Sequence, residues 1–139
     1  MWFRRDLRLT DHPALLAAAT TGDVLGLFVV DPTLWEASGD VRRAYLTQSL
    51  TALDAEMGGA LVIRVGDPRT VVPEVAREVA ATSVHISSDF GHYGRVRDQQ
   101  VEGALGGVPL VRTGSPFAVA PGTIRKSDGT PYQVFTPFY

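Results

Sequence analysis

Cysteine is absent from the 139-residue sequence, and of its thirteen basic residues only Lys126 is not arginine. The first absence excludes disulfide scaffolds, thiolate zinc centres and cysteine nucleophiles. The second leaves almost no material for P-loop or Schiff-base chemistry. No apolar run approaches the roughly 18 residues that a membrane-spanning helix needs, and no leader pattern is legible. The expected setting is therefore a reducing cytoplasm, with no membrane partner. A basic excess is also missing, since 13 Lys+Arg face 15 Asp+Glu; this argues against a free-standing nucleic-acid clamp. Neither G-x-G-x-x-G nor G-x-x-x-x-G-K-[ST] occurs, so ordinary dinucleotide and P-loop phosphate binding lack support.

What remains is a 45% hydrophobic chain, enough for one core. Short apolar runs alternate with stretches of helical period. Strands are expected at Met1–Phe3, Val24–Val30, Ala60–Val65, Ser83–Ser87 and Val108–Val111. Helices are expected after Asp11-His12-Pro13, over Val41–Met57, after Gly66-Asp67-Pro68, and over Arg95–Leu105, with Ser88–Gly94 as a flexible loop. Alternating strands and helices predict an α/β fold: a five-stranded parallel, doubly wound (Rossmann-like) sheet of order 3-2-1-4-5 with helices on both faces. Residues 1–113 form this domain. Residues 114–139, proline-punctuated and without sustained period, read as an ordered connector.

Such sheets bind ligands beyond the carboxyl ends of the strands, where the strand order reverses. That rule puts a site among Arg4–Asp11, Asp31–Asp40 and Asp89–Gly94. Asp89 can accept hydrogen bonds from ring N–H groups there, or can cap the following helix. Arg4 and Arg8 read as structural partners of Asp6, Asp11 or Asp98. Arg42 and Arg43 open a helix whose dipole disfavours cations, which suits an anionic ligand tail, another domain, or a solvated helix start. Gly66-Asp67-Pro68 reads as a helix cap rather than a phosphate turn. His12 sits at a helix start, His85 reads as a core histidine, and His92 alone falls on a site loop. No catalytic constellation and no metal site are expected; the residues describe a binding domain.

Four segments, in order, resemble the DNA photolyase/cryptochrome family: Trp2-Phe-Arg-Arg-Asp-Leu-Arg-Leu-Thr-Asp11, Gly66-Asp-Pro68, Tyr93-Gly-Arg-Val-Arg-Asp98 and Gly129-Thr-Pro-Tyr-Gln-Val-Phe-Thr-Pro-Phe138. The resemblance implies the N-terminal domain that holds a light-harvesting antenna chromophore. It also implies further residues before the short first strand, and a downstream helical domain that binds FAD and damaged DNA and splits pyrimidine dimers in blue light. Arg5, Asp31, Arg42, Asp89, Gly91, His92, Tyr93 and Arg95 fall at positions that border the antenna pocket in relatives. The Asp-x-Glu-Pro-Tyr-Gly-Arg pattern of deazaflavin-binding members reads here Asp89-Phe-Gly-His-Tyr-Gly-Arg95, keeping Asp89, with Gly91 in place of the acidic residue. The Asn-Glu pair of folate-binding members reads Tyr93-Gly94. A deazaflavin is thus favoured over a folate, with FMN as a further option if Gly91 enlarges the pocket. The alternatives are a cryptochrome-type photoreceptor domain, a stand-alone nucleotide-binding α/β domain, and a domain whose pocket has lost its chromophore.

Overall fold

The computed structural model describes residues 1–132; the Gln133–Phe138 part of the exit motif lies outside them. The elements are β1 (Trp2–Phe3), α1 (Pro13–Ala19), β2 (Gly26–Val30), α2 (Pro32–Glu36), α3 (Asp40–Glu56), β3 (Leu61–Val65), α4 (Pro68–Glu78), β4 (Val84–Ile86), α5 (His92–Ala104) and β5 (Leu110–Arg112). Every strand pairing is parallel. Two differences from the expected pattern bear on function. Asp31 and Pro32 start a short helix, α2, where a loop was expected, with the Asp31 carboxylate accepting the Thr33 N–H at 3.0 Å. Helix α5 begins at His92, so His92, Tyr93 and Gly94 lie on its first turn instead of in a loop.

The single five-stranded sheet is also corrected. Hydrogen-bonded ladders join β1, β2 and β3 in that order, and β4 with β5, giving a three-stranded and a two-stranded sheet. Strand β1 runs beside β4 without a ladder between them. The reason is local: β1 has two residues, and the charged Arg4-Arg5-Asp6 turn follows at once. Side chains make the link instead. Arg4 Nη2 donates to the Ser87 carbonyl and Ser87 Oγ donates to the Asp6 carboxylate.

Alternation along the strands divides the core into two layers, as a doubly wound fold requires. Trp2, Leu27, Val29, Val84, Ile86 and Leu110 pack with Val72, Val75 and Ala76 of α4, with Val101 of α5 and with Leu105 just beyond it. On the other face Phe3 and Phe28 pack with Leu50 and Leu53 of α3, flanked by Leu15, Leu46 and Met57. Asp67 caps α4 by accepting the Arg69 N–H at 2.9 Å, with Pro68 in its first turn, as the Gly-Asp-Pro reading expected. Among the described residues no helix is long and apolar enough to cross a membrane.

Candidate functional site

The site grows from the turn after β1. Arg4 points inward, and its Nη1 meets both carboxylate oxygens of Asp98 at 2.6 Å. Asp98, 3% exposed, also accepts from Arg97 Nε at 3.0 Å and Nη2 at 2.8 Å. One buried carboxylate therefore holds two guanidiniums. Both stack near the Trp2 ring at 5.1 Å from its centroid, and the indole face offsets part of the cost of burying cations. Burial pulls the Arg4 pKa down while Asp98 pulls it up, and a guanidinium stays charged throughout.

Arg97 carries this network to Asp89, its Nη2 standing 3.5 Å from Oδ2. The other Asp89 oxygen accepts the Gly91 N–H at 3.0 Å. Arg5 covers the carboxylate from outside, with Nε 3.7 Å from Oδ2 and a side chain 63% exposed. A carboxylate has about four lone-pair positions, so Asp89 holds Gly91, the N-cap residue of α5, by its N–H and remains an acceptor with capacity to spare. Gly94, buried on the first turn of α5, lies directly against it: a Cβ there would come within 2.2 Å of the Asp89 carboxyl. Across the site, Tyr93 Oη donates to Asp31 Oδ2, tying α5 to the start of α2. Burial first, then Asp31, pushes the Tyr93 phenol up to about 12.

A second buried cluster lies beneath. Ser87 Oγ donates to Asp6 Oδ2, and His12 Nε2 lies 3.2 Å from the same oxygen without satisfying hydrogen-bond geometry. Serine, aspartate and histidine are thus brought together by the fold, but not as a nucleophile: the hydroxyl is committed to the carboxylate, not to the imidazole. His12 Nδ1 accepts the Leu15 N–H at 3.3 Å, making His12 the cap of α1.

The space enclosed by Arg4, Arg5, Asp6, Ser87, Ser88, Asp89 and Pro116 is about 10 Å³. A cavity of about 590 Å³ adjoins it, sharing Ser88 and Pro116 and lined also by Arg8, Asp11 and Phe90. Others of about 620 Å³ and about 670 Å³ lie at the amino ends of the strands and between α3 and the outer strand β3. The donor and acceptor set at Asp89 suits a ring with lactam N–H groups. Arg5 is the exposed wall of this small space.

Residues 1–139 match the family described as DNA photolyase. The chain belongs to that family. It is 43% identical over 108 residues to a deoxyribodipyrimidine photo-lyase of Thermus thermophilus, covering 76% of this chain and 26% of that one. It is 36% identical over 146 residues to a deoxyribodipyrimidine photo-lyase of Synechococcus, covering 99% of this chain and 30% of that one. A bacterial class III photolyase from Agrobacterium tumefaciens superposes with a TM-score of 0.86 at 29% identity, over 99% of this chain and 30% of that chain. The chain thus spans about a quarter to a third of these photolyases.

Of the eight positions singled out by the photolyase resemblance, five make contacts among themselves in two groups, Arg5–Asp89–Gly91 and Tyr93–Asp31, which Arg97 joins by touching Asp89 and the Tyr93 ring. His92, Arg95 and Arg42 are exposed, and among the described residues their side chains form no hydrogen bond or ion pair. The neighbouring Arg43 lies over the Trp35 ring and donates to the Trp35 and Glu36 carbonyls. Sequence reasoning passed over Arg97 and Gly94. Arg97 is eight residues from Asp89, and no helical or strand spacing links them. Gly94 did leave a trace, because a glycine on a helix's first turn goes against propensity unless something needs the space.

Proposed function

We propose that this chain is the antenna-chromophore domain of a deoxyribodipyrimidine photolyase, a carbon–carbon lyase that splits pyrimidine dimers in DNA with blue light and reduced FAD. Asp89 carries the reading: a carboxylate at the carboxyl end of β4, oriented by Gly91 and Arg97 and retaining acceptor capacity toward a ring N–H. The favoured ring is a deazaflavin, ahead of a folate, with FMN as the next option. When bound, the chromophore supplies light absorption. The chain's own part is to accept its N–H groups at Asp89, to frame it with Asp31, Tyr93 and Arg5, and to present Arg42, His92 and Arg95 at the rim, where the two guanidiniums suit an anionic tail. Arg5 withdraws to admit it.

In the same reading the two ladders are halves of one surface in the order 3-2-1-4-5; the shared packing of Trp2 with Ile86 supports this. Residues 1–113 are the antenna domain and 114–139 lead to a helical domain. That domain binds FAD and damaged DNA in the cytoplasm, so the 139 residues alone do not repair. The test is reconstitution with 8-hydroxy-5-deazariboflavin, methenyltetrahydrofolate and FMN in parallel. Retention of the deazaflavin's absorption band through gel filtration supports the assignment. Retention of none of the three overturns it.

A further inference from the structure

Gly94 lies against the Asp89 carboxylate with no room for a side chain. On the first turn of α5, a Cβ at Gly94 would lie 2.2 Å from both Cγ and Oδ2 of Asp89 and 2.8 Å from its Cβ. Separations under about 3.0 Å do not occur between real atoms of this kind, so no side-chain rotation of Asp89 alone would make room. The N-cap glycine differs: a Cβ on Gly91 would lie 3.4 Å from Asp89 Oδ1, an ordinary contact. Gly94 is also not there for its backbone, since it has ordinary helical geometry and is not among the residues with positive φ.

We infer that Gly94 is a positioning residue. It is the floor of a seat whose walls are the Gly91 N–H and the Arg97 guanidinium, and that seat fixes the Asp89 carboxylate where a ring N–H meets it. Arg97 is held in turn by Asp98, which also anchors Arg4. The seat is therefore tied to β1 through a buried ion network and not to the exposed loop alone. The identity of residue 94 sets how deeply Asp89 sits, and so which ring depth the site accepts. This rests on the reading of Asp89 as the chromophore's acceptor.

The test uses the full chain, and Gly94→Ala is the central variant. In the unliganded protein the Gly91 amide reports on the seat, because its N–H is bonded to Asp89. In Gly94→Ala that amide resonance should shift and its exchange with solvent should quicken about tenfold, as expected for loss of a hydrogen bond to a charged acceptor. Affinity for 8-hydroxy-5-deazariboflavin, measured by fluorescence titration, should fall at least as far, by roughly tenfold. An unchanged Gly91 amide would overturn the seat. A shifted amide with undiminished affinity, in a chain whose wild type binds the dye, would overturn the positioning role.

If the wild type binds no ring, the reading of Asp89 as an acceptor fails, while the amide measurement still decides the seat. Should Gly94→Ala fold poorly, the double variant Asp89→Gly/Gly94→Ala decides. With the carboxylate gone, alanine in a helical turn should raise the melting temperature relative to Asp89→Gly alone; a further drop would overturn the steric account.

Discussion

At the scale of single residues, the site is governed by buried charge. Asp98 compensates Arg4 and Arg97 at once, so its removal strands two guanidiniums. Asp98→Ala should cost about 3–5 kcal/mol, the cost of breaking a buried pair from one side, measured as the change in urea midpoint at constant m. The exposed pairs Arg64–Glu78 and Arg112–Glu102 should cost far less when broken, because solvent screens them. Tyr93 supplies a second test. Its phenol is pushed up to about 12, so an ultraviolet titration should show a late ionisation step that Tyr93→Phe removes. The stability that Tyr93 contributes is complete below pH 10 and is lost as pH rises toward 12. What could be read of these residues beforehand was uneven. The Arg4–Asp98 pair was among the partners anticipated, and Asp89 was placed at the site by the switch-point rule. Arg97 and Gly94 were not, because contact across a loop and a helix turn leaves no periodicity.

At the scale of elements, the strand and helix alternation was legible because buried parallel strands are apolar on both faces and α4 and α5 follow a helical period. Helix α2 and the early start of α5 were not legible. Both are set by short-range capping: Asp31 accepts its own downstream amide, and Gly91 caps α5 without a side chain. The exit of α4 offers a clean prediction. Ala80 adopts φ +50°, while the Ala81 N–H bonds to the Ala76 carbonyl at 2.8 Å and the Ala80 N–H to Arg77 at 3.2 Å. This is a Schellman motif with alanine where glycine is favoured. Ala80→Gly should therefore stabilise the protein by roughly 1 kcal/mol, seen as a higher melting temperature; a fall would mean that the turn is set otherwise.

The five-strand sheet was the expectation that failed at this scale. A parallel ladder needs length on both partners, and β1 yields to an arginine turn after two residues. The β1-β2-β3 neighbours and the β4–β5 pair could be inferred from topology rules, but the absence of a ladder between β1 and β4 could not, because it depends on how many residues stay extended.

At the scale of the whole molecule, burial of two histidines contributes to the acid response. His12 and His85 are 0% and 4% exposed. Desolvation lowers both pKa values, for His12 against the pull of Asp6 and with the push of Arg8. A lowered folded-state pKa means that the unfolded chain binds protons first. Stability is complete above the unfolded value of about 6.5 and falls as pH drops below it, by at most roughly 1.4 kcal/mol per pH unit for each histidine. His85→Gln should flatten the decline in melting temperature between pH 6.5 and 5. An equal slope in the variant would remove His85 from the account.

The near balance of charge, first read as evidence against nucleic-acid binding, is consistent with a chain that spans 26–30% of the photolyases it matches. In the proposed enzyme DNA contact belongs to the downstream domain. In the proposed reading, what this chain contributes depends on Asp89. The most direct measurement is an equilibrium titration of 8-hydroxy-5-deazariboflavin into the wild-type chain and into Asp89→Ala, followed by the dye's absorption and fluorescence. Saturable binding by the wild type, weakened in Asp89→Ala by about tenfold or more as for a lost hydrogen bond to a charged group, is the predicted result. Equal affinity in the two proteins would contradict the account.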